Sequence, residues 1–493
     1  MSADLLWPGL HRAGGLFDDA AMVAAMVDVE AAWLRALAGA GLAPPGAAEA
    51  VESLDLAALD LAALAVEAEA GGNPVIPLLA ALRASLPPSS QISAGLDIAM
   101  TTSSPPDNGG AGEAAGRLLH LGLTSQDVLD TALVLCARTC LTAVAADLDA
   151  LVEASAALAD RHRGTVMAAR TLGQHAVPTT FGARAAGWCR GLVAAREAVA
   201  RCLETLPVQV GGAAGTMARA VEVCRAAGSA DPVAATERLV RDLAQALGLQ
   251  VVAPWHTTRH PVTGIADTLV TVSDALGHVA NDVALQSRPE VAELAEPAGA
   301  GRGASSAMPQ KRNPVLSVLL RRHAQSAPLL AAQLHLAAAG ALEERPDGAW
   351  HIEWAGLRDL CRRTVAATRQ ARELLEGLHV DAPAMRAHVD AALPGLLAER
   401  LVPALASLLD GGRGAASSLV SSAASPAELV DAAVSASAGR LTEADVRALL
   451  DPTAYLGWAG ELVDGAVEAA RSSTATAAPV PTSVPPSTDP TRE

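Results

Sequence analysis

Apolar residues recur along most of this chain with the spacing of a helix that buries one face. Two runs show it most clearly, alternating steps of three and four residues through Leu141, Val144, Leu148, Leu151, Ser155 and Leu158, and through Ile265, Leu269, Val272, Leu276, Val279 and Val283. Such seams are typical of long helices that pack nearly antiparallel in a bundle. The pattern therefore predicts that these positions form the core of a helical bundle.

Interruptions of this pattern divide the chain. A first helix is predicted over residues 18–41, where it ends at a glycine followed by Pro-Pro. Residues 101–116 are rich in Ser, Pro and Gly and predict a loop or a disordered insertion. We predict an N-terminal helical domain over 1–118, a central long-helix bundle over 119–365, a C-terminal helical domain over 366–471 and a disordered tail over 472–493.

Composition supports an all-α fold and limits the partners. Ala, Leu and Val dominate, and aromatic residues make up only 2% of the chain, which favours close helix packing over a β-sandwich. Lys and Arg number 36 against 53 Asp and Glu, so the formal net charge is −17. This balance argues against nucleic acid and against an anionic membrane surface as partners, although a focused cation can still bind a small anionic substrate.

The sequence also indicates the compartment. No run of about 18 uninterrupted apolar residues is present, and the N-terminus lacks the basic and apolar regions of a signal peptide. The six cysteines are scattered without a CxxC pair. We therefore expect a cytoplasmic protein with reduced thiols, and neither a disulfide nor a metal site. No nucleotide-binding or metal-ligand motif is found, so no cofactor is expected.

Two polar segments within the helical background could carry chemistry. In HLGLTSQDVLDT, Thr124 and Ser125 precede a helical pattern, and the free amides of a helix start bind carboxylates as readily as they accept a cap. In ARTLGQHAVPTTFG, Pro178 and Gly182 bracket a predicted bend, and polar residues cluster near it: Thr171, Gln174, His175, Thr179 and Thr180. Taken alone, the two segments are better explained by helix capping and by a hydrogen-bonded structural histidine than by chemistry.

A third segment, GASSAMPQKRNP over residues 303–314, combines hinge, nucleophile and charge. Glycines precede Ser305, while Met308-Pro309 and Asn313-Pro314 restrict the backbone. Lys311 could hold a carboxylate or favour an ionised serine, because a serine is a poor base unless amides or a cation stabilise its anion. A flexible basic surface loop is the alternative interpretation.

Together the three segments resemble the aspartase/fumarase superfamily in order and character. GASSAMPQKRNP is similar to the signature loop of that superfamily, and the similarity covers most of residues 15 to 450. The motifs HLGLTSQDVLDTA, TLGQHAVPTTFGARAAGW, LPVQVGGAAGTMA, PWHTTRHPV and GAWHIEW resemble the 3-carboxy-cis,cis-muconate cycloisomerase branch, which nitrosuccinate lyases also resemble.

The resemblance implies a fold and a reaction. It implies an all-α, three-domain subunit whose central bundle assembles into a homotetramer, with each active site drawn from three subunits. A base would remove the proton α to a carboxylate of a substituted succinate. An aci-carboxylate would form, and a group would leave the neighbouring carbon.

The resemblance also assigns roles to residues. Ser305 matches the general base, and Lys311 and Asn313 match the groups that hold a carboxylate and the developing charge. The remaining predicted substrate contacts are Thr124, Ser125 and Gln126 of the carboxylate-binding turn, Thr171 and Gln174 of the second segment, Met308 of the loop, and Asn73, which stands where adenylosuccinate lyases carry another histidine.

One departure from the superfamily pattern bears on the substrate. Many members read Arg-Thr-His in the second segment and use that histidine as a general acid, whereas this chain reads Arg170-Thr171-Leu172. His175 does not occupy the same position. A poor leaving group would therefore forfeit an acid contribution of about 10²–10⁴ in rate. Fumarase, aspartase and adenylosuccinate lyase activities become less favoured.

Two substrates fit a base without that acid. Nitrosuccinate would release nitrite, already a stable anion, and leave fumarate, as in actinobacterial pathways to diazo antibiotics. Carboxymuconate would close to a lactone, the cycloisomerase reaction. Cycloisomerases usually read Met-Pro-His-Lys where this chain has Gln310, and on this divergence we favour the eliminating lyase.

Some alternatives stay open at the level of sequence. His256 and His351 lie in stretches shared with the cycloisomerase branch, and packing explains them as well as catalysis does. Arg302 and Arg312 could attract anions or only solvate the loop. A catalytically inactive helical scaffold is the hypothesis from another class, which the joint presence of Ser305, Lys311 and Asn313 disfavours.

Overall fold

The structure is a computed structural model that describes residues 4–86, 111–299 and 301–472. The described chain forms two compact units, unit 1 from within Met1–Leu151 and Ala194–Val380, and unit 2 from within Val152–Val193 and Asp381–Glu493. Helices make up most of both units, which confirms the predicted all-α fold.

Most helices belong to unit 1. Its helices are α1 (Asp19–Gly39), α2 (Ala47–Glu52), α3 (Leu61–Gly71), α4 (Val75–Ser85), α5 (Ala111–Leu118), α8 (Ala218–Ala226), α9 (Pro232–Leu247), α10 (His260–Gln286), α11 (Val315–Ala339) and α12 (Gly348–Glu376). Two further helices, α6 (Ser125–Arg161) and α7 (Phe181–Thr205), have residues in both units. A short antiparallel pair, β3 (Leu294–Ala295) and β4 (His379–Val380), completes unit 1.

Unit 2 combines short helices with a β-hairpin. Its helices are α13 (Ala382–Ala391), α14 (Ala398–Ala406), α15 (Gly412–Ser422), α16 (Pro426–Ala436), α17 (Glu443–Leu449) and α18 (Ala459–Ser472), and its strands are β1 (Val166–Thr171) and β2 (Gln174–Thr180). A leucine-rich core that includes Leu401, Leu405 and Leu429 holds the short helices together.

The two predicted seams are confirmed as core. Each of their members, on α6 and on α10, is at most 5% exposed. Helix α10 packs against α11 and α12 in unit 1, so its seam lies at the centre of a helical bundle. Helix α6 is also long and apolar enough to cross a membrane, but 72% of its apolar window is buried inside the structure, as is usual for a core helix.

Carboxylate side chains cap the starts of two helices in unit 1. The carboxylate of Asp18 accepts the backbone N–H of Ala21 at 2.9 Å and caps α1, which occupies nearly the whole of the predicted 18–41 segment. Glu296 plays the same part for α11, because its carboxylate accepts the N–H groups of Leu316 and Ser317 at 2.9 and 2.7 Å. Capping of α11 fixes the end of the loop over residues 303–314.

Three features differ from the sequence-based expectations. Residues 111–116 were predicted within a flexible insertion but form the start of α5, because Ala114 and Ala115 are buried and the helix packs on α2. The predicted boundary at residue 366 falls inside α12, whose buried apolar stripe continues to Leu375. Residues 101–110 and the predicted tail after Ser472 lie outside the described residues.

The third difference is the second polar segment, where a bend was expected and a β-hairpin forms. Leu172 and Gly173 have φ angles of 51° and 80°, and such a pair of left-handed residues makes the tight turn that joins two strands. Thr171 pairs with Gln174 directly across this turn. The hairpin presents both predicted substrate contacts at its tip.

The buried seam gives a stability prediction. Leu269→Ala, at the fully buried centre of α10, should lower the free energy of unfolding by about 2–5 kcal/mol, because it removes apolar contacts and leaves a cavity. Leu285→Ala on the same helix is the matched control, since Leu285 is half exposed and should cost under about 1 kcal/mol. Urea unfolding of the two variants measures the difference, and equal losses would contradict the assignment of the seam to the core.

Candidate active site

The start of α6 is tied to a distant segment through one carboxylate. The backbone N–H of Thr124 donates to Asp127 Oδ2 at 2.9 Å. The N–H groups of Gly211 and Gly212 donate to the same carboxylate at 2.8 and 3.0 Å. Asp127 therefore holds the 3₁₀ turn Gly212–Ala214 against the Thr124 turn, and the turn and the helix start form one surface.

Asp127 itself is buried, and its charge is held by hydrogen bonds alone. Gln209 Nε2 approaches Asp127 Oδ1 at 3.4 Å in addition to the three backbone donors. Burial is the largest influence and raises the pKa of Asp127 to about 6, while the hydrogen bonds act in the opposite direction. The Asp127 carboxylate has a structural role: it is buried, and its hydrogen bonds hold the turn in place.

A buried ion network lies behind the turn. Arg259 bonds to Asp130 at 2.6 Å and to Glu353 at 2.6 Å, and all three side chains are enclosed. Burial is the largest single influence and acts to lower the pKa of Arg259, but the two carboxylates together raise that pKa above its ordinary value. The indole N–H of Trp350 also donates to Asp130 at 2.8 Å. The network joins α6, α10 and α12 at the level of the turn.

Gln126 belongs to this network. Its Nε2 donates to Asp130 at 3.1 Å and to the backbone oxygen of His256 at 2.9 Å, and the side chain is completely buried. Gln126 is the second residue of α6 and points to the core of the single chain, where its Oε1 has no hydrogen-bond partner, and its contact with substrate stays a prediction. Thr124 and Ser125, which directly precede Gln126, are partly exposed.

Sequence reasoning missed Arg345. Its Nη2 donates to Thr124 Oγ1 at 3.0 Å and reaches the backbone oxygen of Ala213 at 3.5 Å, so a half-buried cation lies on the carboxylate-binding turn. Glu343 and Glu344 precede it, and in the sequence the three charges resemble a solvated run. Only the fold reveals that this cation faces the helix start.

The loop over residues 303–314 is closed on itself by Asn313. The backbone N–H and the side-chain Nδ2 of Asn313 both donate to Gly303 O, at 2.9 and 3.1 Å. Gly303 has φ +69°, and a Cβ there would lie 2.5 Å from Asn313 O, so only glycine fits. The predicted glycine hinge is thus a close backbone contact that brings the two ends of the loop together.

Ser305 is held by its own loop. Its Oγ accepts the backbone N–H of Met308 at 3.1 Å and approaches that of Ala307 at 3.3 Å. Two amide donors at one hydroxyl oxygen stabilise negative charge on that oxygen, which is the condition under which a serine can serve as a base. Met308 contributes through its backbone, and its side chain is exposed.

Positive charge lines one side of this loop. Lys311, Arg312 and Arg288 face an open cleft of about 540 Å³ that Met308 and Asn313 also line. Arg302 is not part of it, because its guanidinium pairs with Glu373, which also binds Arg12. Both partners lower the pKa of Glu373 against the effect of its partial burial. Arg302 therefore anchors the base of the loop, and Lys311 and Arg312 are the cations of the loop that line the cleft.

Some of the remaining predicted site residues are exposed, and one forms hydrogen bonds within the chain. Thr171, Leu172, Gln174 and His175 are exposed on the hairpin of unit 2, where Leu172 is 104% exposed. Asn73 is only 9% exposed, and its side chain donates to Gly71 O and accepts the N–H of Val75. Asn73 therefore holds the turn before α4 in the single chain, and its contact with substrate stays a prediction.

His351 contacts the backbone next to Asn73. Its Nε2 lies 2.8 Å from Gly72 O and its Nδ1 lies 3.1 Å from Asp347 O, so both ring nitrogens contact backbone. Packing explains this histidine.

Among the described residues, no hydrogen bond or ion pair joins the Thr124 turn to the loop over residues 303–314, so one chain presents these two groups as separate surfaces.

The fastening role of Asp127 is testable. Asp127→Ala leaves three backbone N–H groups without their acceptor, each worth about 1–3 kcal/mol, so the free energy of unfolding should fall by roughly 3 kcal/mol or more. Asp431→Ala, at an exposed position of α16, should change it by no more than about 0.5 kcal/mol. Urea unfolding at a fixed protein concentration compares them, and a loss for Asp127→Ala as small as that of the control would refute the role.

The chain is similar in sequence to known enzymes. A family model described as lyase matches residues 93–328. The chain is 43% identical to nitrosuccinate lyase of Streptomyces davaonensis over 91% of this chain and 90% of the relative. It is 38% identical to 3-carboxy-cis,cis-muconate cycloisomerase of Bradyrhizobium diazoefficiens over 91% of this chain and 93% of the relative.

A solved structure gives the same result. The 3-carboxy-cis,cis-muconate lactonizing enzyme from Pseudomonas putida matches with a TM-score of 0.78 at 34% identity, and the match covers 94% of this chain and 97% of that one. Both the sequence and the fold therefore agree with the resemblance carried by the three polar segments. The chain is an enzyme and belongs to the lyase family of the aspartase/fumarase superfamily.

Proposed function

We propose that this enzyme eliminates nitrite from nitrosuccinate and releases fumarate. The observation that carries the proposal is the Ser305 hydroxyl, whose oxygen accepts two backbone N–H groups within a loop that also carries Lys311 and Asn313. The similarity to nitrosuccinate lyase over 91% of the chain supports the choice of substrate.

Proton removal is the first step. The Ser305 hydroxyl, which is partly exposed, loses its proton to solvent, and the amides of Ala307 and Met308 stabilise the resulting alkoxide. The alkoxide then takes a proton from the methylene carbon of nitrosuccinate. The C–H electron pair passes into the adjacent carboxylate and forms an aci-carboxylate. Lys311 supplies positive charge where this dianion develops, and Asn313 holds the loop in the conformation that presents both groups.

The second step expels the leaving group. The electron pair returns to form the carbon–carbon double bond of fumarate, and the C–N pair departs with nitrite. No proton is needed, since nitrite is a stable anion. Leu172 stands where the superfamily acid is expected, and an exposed alkyl side chain cannot donate a proton. The absence of this acid favours nitrite over an amine or hydroxide.

Substrate orientation is assigned to the Thr124 turn. Ser125 begins α6, so its first amides and the positive end of the helix dipole are available to an anion. Arg345 adds a cation at the side chain of Thr124. We propose that this surface binds one carboxylate or the nitro group while the loop over residues 303–314 acts on the methylene carbon.

Assembly would bring the separate surfaces together. We propose a cytoplasmic homotetramer in which the Thr124 turn, the hairpin tip with Thr171 and Gln174, and the Ser305 loop come from different subunits. Exposed apolar side chains on α11 fit such an association, because Leu329 and Leu336 are 72% and 76% exposed and lie seven residues apart on one face.

The alternative is the cycloisomerase reaction, in which a carboxylate is the group that attacks or leaves. The 38% identity to a cycloisomerase over 91% of the chain and the close fold of the lactonizing enzyme favour this candidate. A carboxylate likewise needs no acid at Leu172. The two reactions therefore differ in substrate shape and not in the need for a proton donor.

Turnover of the two substrates separates the candidates. Purified enzyme incubated with nitrosuccinate should release nitrite and fumarate in equal amounts, and with carboxymuconate it should give little lactone. Nitrite is measured colorimetrically, fumarate by absorbance and lactone by chromatography. Lactone as the sole product would establish the cycloisomerase and exclude the lyase.

Ser305→Ala tests the base. Loss of the proton acceptor should lower kcat by at least about 10²–10⁴, the usual contribution of a positioned base. Ser306→Ala is the matched control, because Ser306 is the exposed neighbour in the same loop and should retain most of the activity. Undiminished nitrite release by Ser305→Ala would show that another group removes the proton.

A further inference from the structure

His256 is clamped between two glycines beside the Thr124 turn. A Cβ at Gly211 would lie 3.0 Å from both His256 Cε1 and Nδ1, and one at Gly215 would lie 2.5 Å from Cε1 and 2.9 Å from Nε2. At Gly215 only glycine leaves room for the ring, and at Gly211 an added Cβ would press against it. The imidazole is therefore fixed in one orientation, with its Nε2 edge on the side of Gly215, which follows the Gly212–Ala214 turn.

The hydrogen-bond network assigns the tautomer. Gln209 Oε1 accepts the backbone N–H of Trp255 at 2.7 Å, so the amide of Gln209 is oriented with Nε2 on the opposite side. That Nε2 is a donor and lies 3.4 Å from His256 Nδ1. His256 Nδ1 must accept, and the proton of the neutral ring is consequently on Nε2.

The ring is held neutral. Burial is the largest influence and the charge of Arg345 the next, and together they lower the pKa of His256 below its ordinary value against the smaller opposing effects of Asp130 and Glu344. Arg259 acts in the same direction as Arg345. A neutral imidazole with a fixed tautomer is a hydrogen-bond donor of defined direction.

The donor is available. Within the described parts of the chain, His256 Nε2 makes no hydrogen bond to the protein. It is not one of the fully buried side-chain atoms that lack a partner, so the atom is accessible to solvent. The backbone oxygen of His256 is bound by Gln126, and the turn on the Nε2 side provides the Ala213 oxygen that Arg345 approaches. The Nε2–H donor thus lies beside the Gly212–Ala214 turn that Arg345 approaches, and Arg345 also binds the Thr124 hydroxyl.

We propose that His256 is a further substrate-binding residue, whose Nε2–H donates a hydrogen bond to the planar two-oxygen group, carboxylate or nitro, that the Thr124 and Arg345 surface binds. The identity of the substrate rests on the proposed function. The contact itself rests on the glycine clamp, the Gln209 orientation and the unbonded Nε2.

The chemistry of the contact suits a leaving group that needs no acid. A neutral imidazole can donate a hydrogen bond, but it does not transfer its Nε2 proton, because that would form an imidazolate. Negative charge that develops on a nitro or carboxylate oxygen would be stabilised without protonation. His256 would then favour departure of nitrite while offering no assistance to an amine or hydroxide.

Variants at His256 and at its clamp provide the test. His256→Leu removes the donor at similar size, and His256→Gln places an amide N–H near the position of Nε2. Gly211→Ala leaves the histidine in place, but its added Cβ would lie 3.0 Å from the ring and 3.1 Å from Gln209 Nε2, so it displaces the imidazole. Gly264→Ala is the control, because nothing lies within 4 Å of its added Cβ.

The expected results are specific. His256→Leu should lower kcat/KM by about 10- to 100-fold, and His256→Gln should recover activity to within about fivefold of wild type. Gly211→Ala should fall between them, and Gly264→Ala should match wild type. Fumarate affinity by calorimetry separates the two ligand groups: it weakens with His256→Leu if the contact is to a carboxylate, and it stays constant if the contact is to the nitro group.

Several outcomes would overturn the proposal. His256→Leu with kcat/KM and fumarate affinity within about twofold of wild type would do so, as would His256→Gln as impaired as His256→Leu, which would indicate a packing role. If His256→Leu does not fold, wild-type values for Gly211→Ala would refute the contact.

Failure of the proposed function has a different signature. Wild type that turns over neither substrate, yet binds fumarate more tightly than His256→Leu does, would refute the nitrosuccinate assignment and retain the contact. Wild type that neither binds fumarate nor reacts would overturn both.

Discussion

The candidate site depends on one buried carboxylate. Asp127 accepts backbone N–H groups from the start of α6 and from the Gly211–Gly212 segment, which are more than 80 residues apart in sequence. These bonds fix the positive end of a helix, the glycine clamp of His256 and the backbone that Arg345 approaches in a single geometry. A fixed arrangement is needed because donors stabilise developing charge only when they are oriented in advance of the reaction.

Much of the fold was predictable, since it follows from periodicity. The seams of α6 and α10 are buried as expected, and the first helix lies where its cap and glycine place it. The hairpin was not predicted, because its signal is a left-handed Leu172 before Gly173, a pair that seldom marks such a turn. The extent of α12 was missed for a different reason: its apolar stripe continues past the point where the surrounding helices become short.

The site was predictable only where a residue's role depends on its own loop. The Ser305 loop resembles its superfamily counterpart in sequence, and its hydrogen bonds are local. The hydrogen bonds of Gln126 and Asn73 within the chain were not predictable, because their partners, the buried Asp130 and the turn before α4, are consequences of the fold. Arg345 and His256 reach the Thr124 turn from more than 100 residues away, a proximity that no spacing in the sequence encodes.

The central claim is that a base acts on the methylene carbon and that nitrite leaves its neighbour unprotonated. Mass spectrometry of the products from nitrosuccinate deuterated at the methylene carbon tests it most directly. The account predicts fumarate that retains one of the two deuterium atoms, together with an equal amount of nitrite. Fumarate that retains both deuterium atoms, or nitrite released without fumarate, would contradict it.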